Sequence, residues 1–305
     1  MFKGLLPAMV TPFDERGEVD LRTTEAVVER LVDARVDGIV ALGSNGEFSH
    51  LTTDERKHFA KEVVNTVAGR VPLLIGAGTS GTRETVELAC HAEGVGADGV
   101  IVVPPFYWKV GEEALFKHFA TVAESVGIPV LLYNFPMLTG IDLSPELIAR
   151  ITGEYPNVAG LKDTVTEYSH IVNVLREVKP ERPDFVVLAG FEDLILPGLL
   201  AGSDGAISGL SNVAPKLFVD LVRSVEEGDL QKAAQLHRRV LSLMALGECS
   251  DPPIGAIKLA MNKLGVPISP TVRGPALPVP EEAYEKLEGV LHDAGLLQEV
   301  REEVG

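Results

Sequence analysis

Short, nearly continuous runs of Val, Ile, Leu and Ala recur along this chain at residues 5–13, 38–43, 72–76, 99–104, 129–134, 158–163, 185–190 and 205–209. Apolar runs of that length, lacking polar alternation, read as parallel strands covered on both faces. Between them the apolar positions change to three- and four-residue spacing. In residues 24–36, for example, Ala26, Val27, Arg30, Leu31 and Ala34 trace one face of a helix. Capping signals point the same way: hydroxyls at Thr53, Thr82 and Ser144 stand ahead of acidic residues, and Pro145 takes a first helical position. Eight such strand-and-helix units in series predict an α/β fold, a closed (β/α)8 TIM barrel, ahead of an open doubly wound sheet.

After residue 209 the alternation stops, and three helices are predicted over 230–246, 253–264 and 280–294, the last two separated by a proline-rich stretch at 267–280. The chain therefore divides into a barrel domain over 1–228 and a C-terminal three-helix extension over 229–305, with no flexible linker between them. A length of 305 residues suits one barrel with an appendage.

The barrel reading makes the strand ends informative, because barrel active sites lie at the C-terminal ends of the strands. Residues that follow the runs include Gly43, Ser44, Asn45 and Gly46, then Tyr107, Tyr133, Lys162, Gly190 and Ser208. All belong on one rim. Lys162 ends an apolar run, and a lysine there is either a solvated strand-edge residue or a desolvated amine able to attack a carbonyl. A nucleophilic lysine, a proton-passing tyrosine and a glycine-rich turn with free N–H groups together suit a 2-oxo acid, whose carboxylate residues 43–46 would cup.

Other chemistries find less support. Residues 76–81 spell GxGxxG between a strand and a helix, but the next strand ends in Val103, Pro104 and Pro105 and offers no acid for a ribose. The seven histidines form no HxxxH or HxH pair, and no carboxylate cluster has metal-like spacing, so neither a metal nor another cofactor is expected. No GxSxG elbow or P-loop is present. Carbon–carbon cleavage beside a carbonyl then needs its electron sink in a protonated imine on lysine.

Cys90 and Cys249 are far apart, which suggests no disulfide framework. A formal charge of −17 argues against nucleic acid and anionic membranes as partners. No apolar run approaches the ~18 residues that span a bilayer, and residues 1–12 read as a first strand and not a signal peptide, so a cytoplasmic enzyme is expected.

Three segments at these strand ends resemble one family. Gly43, Gly46 and Glu47 fit a GxxGE turn after strand two, Tyr133, Asn134 and Pro136 a YNxP segment ending strand five, and Leu161, Lys162 and Asp163 an LKD segment ending strand six. Over essentially its whole length the chain resembles the dihydrodipicolinate synthase and N-acetylneuraminate lyase family of pyruvate-dependent class I aldolases. The resemblance implies a (β/α)8 barrel with a helical C-terminal domain, assembled as a homotetramer. It implies that Lys162 forms the imine with pyruvate, that Tyr133 relays protons, and that Ser44 and Asn45 hold the carboxylate. Tyr107 would reach a neighbouring subunit's relay, while Gly190 and Ile207 would line the pocket.

Within the family, residues 46–49, 106–110 and 133–140 look most like the 2-keto-3-deoxygluconate aldolases and their pentonate-cleaving relatives. The lysine-pathway synthases carry an arginine where this chain has Leu138, and leucine cannot replace its bidentate bonds to a carboxylate. With only Lys109 as a basic residue in the strand-end loops, an unphosphorylated substrate is expected. The expected activity is reversible cleavage of a 2-keto-3-deoxy sugar acid to pyruvate and an aldehyde. A 4-hydroxy-2-oxoglutarate aldolase, a dihydrodipicolinate synthase, a dehydratase using the same imine and a non-catalytic pyruvate sensor are the rivals.

Overall fold

The computed structural model describes residues 2–297, and a strand overlaps each of the eight apolar runs. These are β1 Gly4–Pro7, β2 Ile39–Ala41, β3 Leu73–Gly76, β4 Gly99–Val102, β5 Val130–Asn134, β6 Val158–Asp163, β7 Val186–Ala189 and β8 Gly205–Ser208. Neighbours pair in parallel in the order β1-β8-β7-β6-β5-β4-β3-β2. The ring closes just past β1. The Ala8 N–H bonds to Ser208 O at 2.9 Å on one side, and the next N–H, of Met9, bonds to Val40 O at 2.8 Å on the other. The fold is a TIM barrel. Its first strand is shorter than the expected 5–13, because residues beyond Pro7 leave β8 to bridge Val40 and then, at Phe13, Val19.

Strand alternation sorts the apolar side chains into two layers. Leu6, Val40, Leu74, Ile101, Leu131 and Leu188 fill the barrel interior, while Leu5, Ile39, Leu73, Val100, Val130 and Val187 pack outward against the helices. Burying each such side chain contributes about 1.5–3 kcal/mol, which is why both faces of every strand are apolar.

The helices start where side-chain caps allow. Asp20 accepts from the N–H groups of Arg22 and Thr23, so the first helix is Leu21–Asp33, earlier than the expected 24–36. Thr52, not Thr53, caps Thr53–Val67 in a reciprocal capping box with Glu55. Helix Thr82–Val95 starts from Gly81 without a side-chain cap, and the Thr82 hydroxyl pairs with His118 Nδ1 at 2.9 Å. Ser144 caps Pro145–Glu154 as expected.

Helix Pro215–Glu226 completes the eighth strand-and-helix unit, for which the sequence reading gave no bounds. It is followed by Leu230–Leu243, Ile254–Lys263 and Tyr284–Asp293. Their buried residues, including Leu243, Met261, Leu287 and Leu291, join the same apolar core as the barrel helices. Among the described residues no helix is long and apolar enough to cross a membrane.

Candidate active site

The parallel register of β5 and β6 sets Tyr133 opposite Lys162, and Asn134 opposite Asp163. Because successive side chains point to opposite faces, the first pair turns into the barrel mouth and the second toward the helices. Lys162 is 4% exposed and Tyr133 3%. The Lys162 amine donates to Tyr133 Oη at 3.1 Å, and Tyr133 Oη lies 3.3 Å from Ser44 Oγ. Amine, phenol and hydroxyl thus form one chain. Among the described residues no carboxylate forms an ion pair with Lys162.

These three groups border a cavity of about 620 Å³ that also touches Asn45, Phe135, Thr164, Gly190, Phe191 and Ile257. Its Ser44 side is the short turn Ser44–Gly46, closed by Gly46 N–H to Gly43 O at 2.9 Å and Glu47 N–H to Ser44 O at 3.1 Å. The N–H groups of Ser44 and Asn45, which open the turn, have no carbonyl within it, as an anion nest requires. The Asn45 side chain fills the space over Gly209, where a Cβ would stand 2.5 Å from Asn45 Nδ2. Gly190 admits no side chain either, since a Cβ there would lie 1.9 Å from Thr164 Oγ1.

Outside the barrel wall, the second pair is saturated. Asn134 Nδ2 donates to Asp163 Oδ1 at 3.0 Å and to Asp142 Oδ1 at 2.8 Å, and Asn134 Oδ1 accepts from Leu143 N–H at 3.0 Å. His170 donates from Nδ1 to Asp163 Oδ2 at 2.7 Å and from Nε2 to Leu143 O at 2.9 Å. Burial alone would lower the imidazolium's pKa, but the hydrogen bond and charge of Asp163, the Leu143 carbonyl and the Asp142 charge outweigh it, raising His170 to about 9.

The structure brings Lys162, Tyr133, Ser44, Asn45 and Gly190 to one cavity. Gly43 borders a small adjoining space together with Tyr133, and Gly46 is buried under Met9 and Thr11. Ile207 is fully buried in the inner layer and does not line the main cavity. Tyr107 stands apart from it, 88% exposed with its ring edge-on to Trp108 at 5.7 Å. Two of the three GxGxxG glycines have a packing cause: a Cβ on Gly76 would lie 1.9 Å from Leu42 O, and one on Gly78 2.6 Å from Val103 Cγ2, whereas one on Gly81 would meet open space.

Two features escaped the sequence reading. Thr164 is buried on the cavity wall, and among the described residues its hydroxyl has no hydrogen-bond partner. Met244, Pro252, Pro253, Ile254 and Ile257 of the C-terminal extension close the far side of the cavity. A signal for the second existed in the helix Ile254–Lys263, where Lys258 interrupts an apolar run.

Comparison with known proteins agrees with this geometry. The dihydrodipicolinate synthetase family model matches residues 1–294. "Putative 2-dehydro-3-deoxy-D-gluconate aldolase YagE" of Escherichia coli K12 is 41% identical, covering 97% of this chain and 98% of its own. "Probable 2-dehydro-3-deoxy-D-pentonate aldolase YjhH" of the same strain is 40% identical over the same shares. The 4-hydroxy-tetrahydrodipicolinate synthase of Methanocaldococcus jannaschii is 38% identical, covering 97% of this chain and all of its own. The crystal structure of YagE in complex with pyruvate superposes with a TM-score of 0.95, covering 97% of this chain and 99% of that one. From the match along almost its whole length, this chain belongs to the dihydrodipicolinate synthetase family and is a class I lyase of the aldolase type.

Proposed function

We propose that the enzyme reversibly cleaves a 2-keto-3-deoxy sugar acid, such as 2-keto-3-deoxygluconate, to pyruvate and an aldehyde. The observation that carries this reading is the chain from Lys162 Nζ through Tyr133 Oη to Ser44 Oγ, set beside a turn with free N–H groups. The Lys162 amine adds to C2 of the keto acid and water leaves, giving an iminium. Tyr133 takes the proton of the C4 hydroxyl as the C3–C4 bond breaks, and Ser44 passes it on. The electron pair rests in the enamine, which is protonated at C3 and hydrolysed to pyruvate. Ser44 and Asn45 hold the carboxylate throughout, and Gly43, Gly46 and Gly190 shape the site.

The sugar-acid assignment draws on the names of YagE and YjhH and on Leu138, which borders the cavity and is 62% exposed. No arginine lines the cavity among the described residues, which suits a substrate with one carboxylate and no phosphate. The similarity to the M. jannaschii synthase supports a second reading, condensation of pyruvate with a semialdehyde. In the assembly we propose, a homotetramer, the exposed Tyr107 meets a neighbouring subunit's relay. The barrel over 1–228 and the helices over 229–305 act as one catalytic unit.

Assaying pyruvate release from 2-keto-3-deoxygluconate, its pentonate analogue and 4-hydroxy-2-oxoglutarate tests the reading. Pyruvate plus aldehyde from the first two is the expected outcome. A dioxo acid as product turns the assignment to a dehydratase, and turnover only with aspartate semialdehyde turns it to the synthase.

A further inference from the structure

Lys258 lies on helix Ile254–Lys263 of the C-terminal extension, with none of its side chain exposed. Its ammonium donates to Glu47 Oε1 at 2.5 Å and to Thr271 O at 2.9 Å, and it stands 4.2 Å from the centre of the Phe13 ring. The Glu47 carboxylate is equally enclosed. Its Oε2 accepts the Arg273 backbone N–H at 2.9 Å, with His50 Nδ1 3.5 Å away. The Arg273 guanidinium ties the same segment to the rim, donating to Gly17 O at 2.7 Å and to Glu55 at 2.6 Å. A buried ion pair is weak evidence for stability, because desolvation cancels most of the attraction. A pair that joins residues 211 positions apart on the wall of a site therefore invites a functional explanation.

The place of Glu47 supplies one. It directly follows the turn Ser44–Gly46, and its backbone is held at φ +53°, a left-handed conformation disfavoured for any residue with a Cβ. Such a conformation persists only when its surroundings hold it, and the groups that grip the Glu47 side chain come from the extension. We infer that Lys258 is a positioning residue: through Glu47 it fixes the carboxylate-binding turn, so that the C-terminal extension sets the affinity of the site for its keto acid. The inference rests on the reading above, in which this turn holds the carboxylate of pyruvate. Lys258 touches no substrate. It acts on where the N–H groups of Ser44 and Asn45 point.

Reductive trapping separates the two claims. Amine, ketone and a proton form an iminium and water, and borohydride delivers hydride to the iminium carbon, leaving a secondary amine on Lys162 that mass spectrometry counts. Two ketones are compared, pyruvate and hydroxyacetone, the second lacking a carboxylate. In Lys258→Met the concentration of pyruvate that half-saturates trapping rises tenfold or more, while that of hydroxyacetone stays as in the wild type. An unchanged pyruvate value, or equal shifts for both ketones, overturns the inference. Should Lys258→Met not fold, the double variant Glu47→Gln, Lys258→Met leaves no buried charge unpaired and carries the same comparison. Loss of the fold in both variants assigns the pair a purely structural role and also overturns it. Absence of pyruvate trapping in the wild type rejects the parent reading, whereas normal trapping with an unresponsive Lys258→Met rejects the positioning role alone.

Discussion

Lys162 and Lys258 are both buried, at 4% and 0% exposure, yet their amines meet different surroundings. Lys258 faces a carboxylate, a carbonyl and an aromatic ring, which together replace the water an ammonium gives up, and the charge of Glu47 opposes the lowering of its pKa by burial. Among the described residues Lys162 has a phenol and that phenol's ring, and no acid. Burial alone therefore does not make a nucleophile. Where the fold supplies a counter-charge, as Glu47 does for Lys258, a buried amine serves as a structural cation; where it sets a phenol beside the amine, as at Lys162, the nitrogen borders an open cavity instead.

Replacing each lysine by methionine sharpens this contrast, because the two variants should fail in opposite ways. Lys162→Met lowers turnover by on the order of 10⁴-fold or more, since no other amine can carry the imine, and its urea midpoint stays at or above that of the wild type. Lys258→Met leaves the Glu47 charge buried and unpaired, and unfolding free energy falls by about 3 to 5 kcal/mol. Equal stability losses in the two variants would break the comparison. Tyr133→Phe comes next in size. It removes the oxygen between Lys162 and Ser44, so turnover falls about 10²-fold in a pyruvate-release assay while Lys162 is still trapped by borohydride.

The same contrast explains what the sequence could and could not reveal. Lys162 was legible because it ends an apolar strand and the barrel rule then set it on one rim with Tyr133 and the 43–46 turn, although its position alone also fitted a solvated strand-edge lysine. The eight strands were legible because both faces of a TIM-barrel strand are covered. The pairing of Lys258 was not, since the apolar run around it hints at burial but its partner Glu47 lies 211 positions away. The helix Pro215–Glu226 was expected only as the last of eight units and without bounds, although Pro215 stands at its first turn as a start signal. Thr164 escaped for another reason: its significance is an unpartnered hydroxyl, which only the packing of Gly190 against it makes visible. Tyr107, assigned from family resemblance, is solvent-facing within one chain, where strand-end position alone would have set it in the cavity.

The smallest predicted effect concerns His170, one wall away from the Lys162 amine. His170 is to Asp163 what Lys258 is to Glu47, an acid-paired donor with each ring nitrogen matched to an oxygen. With its pKa raised to about 9 from 6.5, the protonated ring contributes stability that is complete below about pH 6.5 and is lost as pH rises through 9. Allowing for solvent screening, the loss is about 1 to 2 kcal/mol, read as a fall in the urea midpoint between pH 6.5 and 9.5. His170→Gln, which can donate one hydrogen bond but carries no charge, should be less stable than the wild type at pH 6.5 and should lack this alkaline decline. Lys162→Met should retain the decline, because the Asp163 carboxylate points away from the amine and bonds to Asn134 and His170 on the outer face of the sheet. A decline that vanished in Lys162→Met would mean that the two faces of β6 titrate together, and the separation between the phenol-paired and the acid-paired groups would not hold.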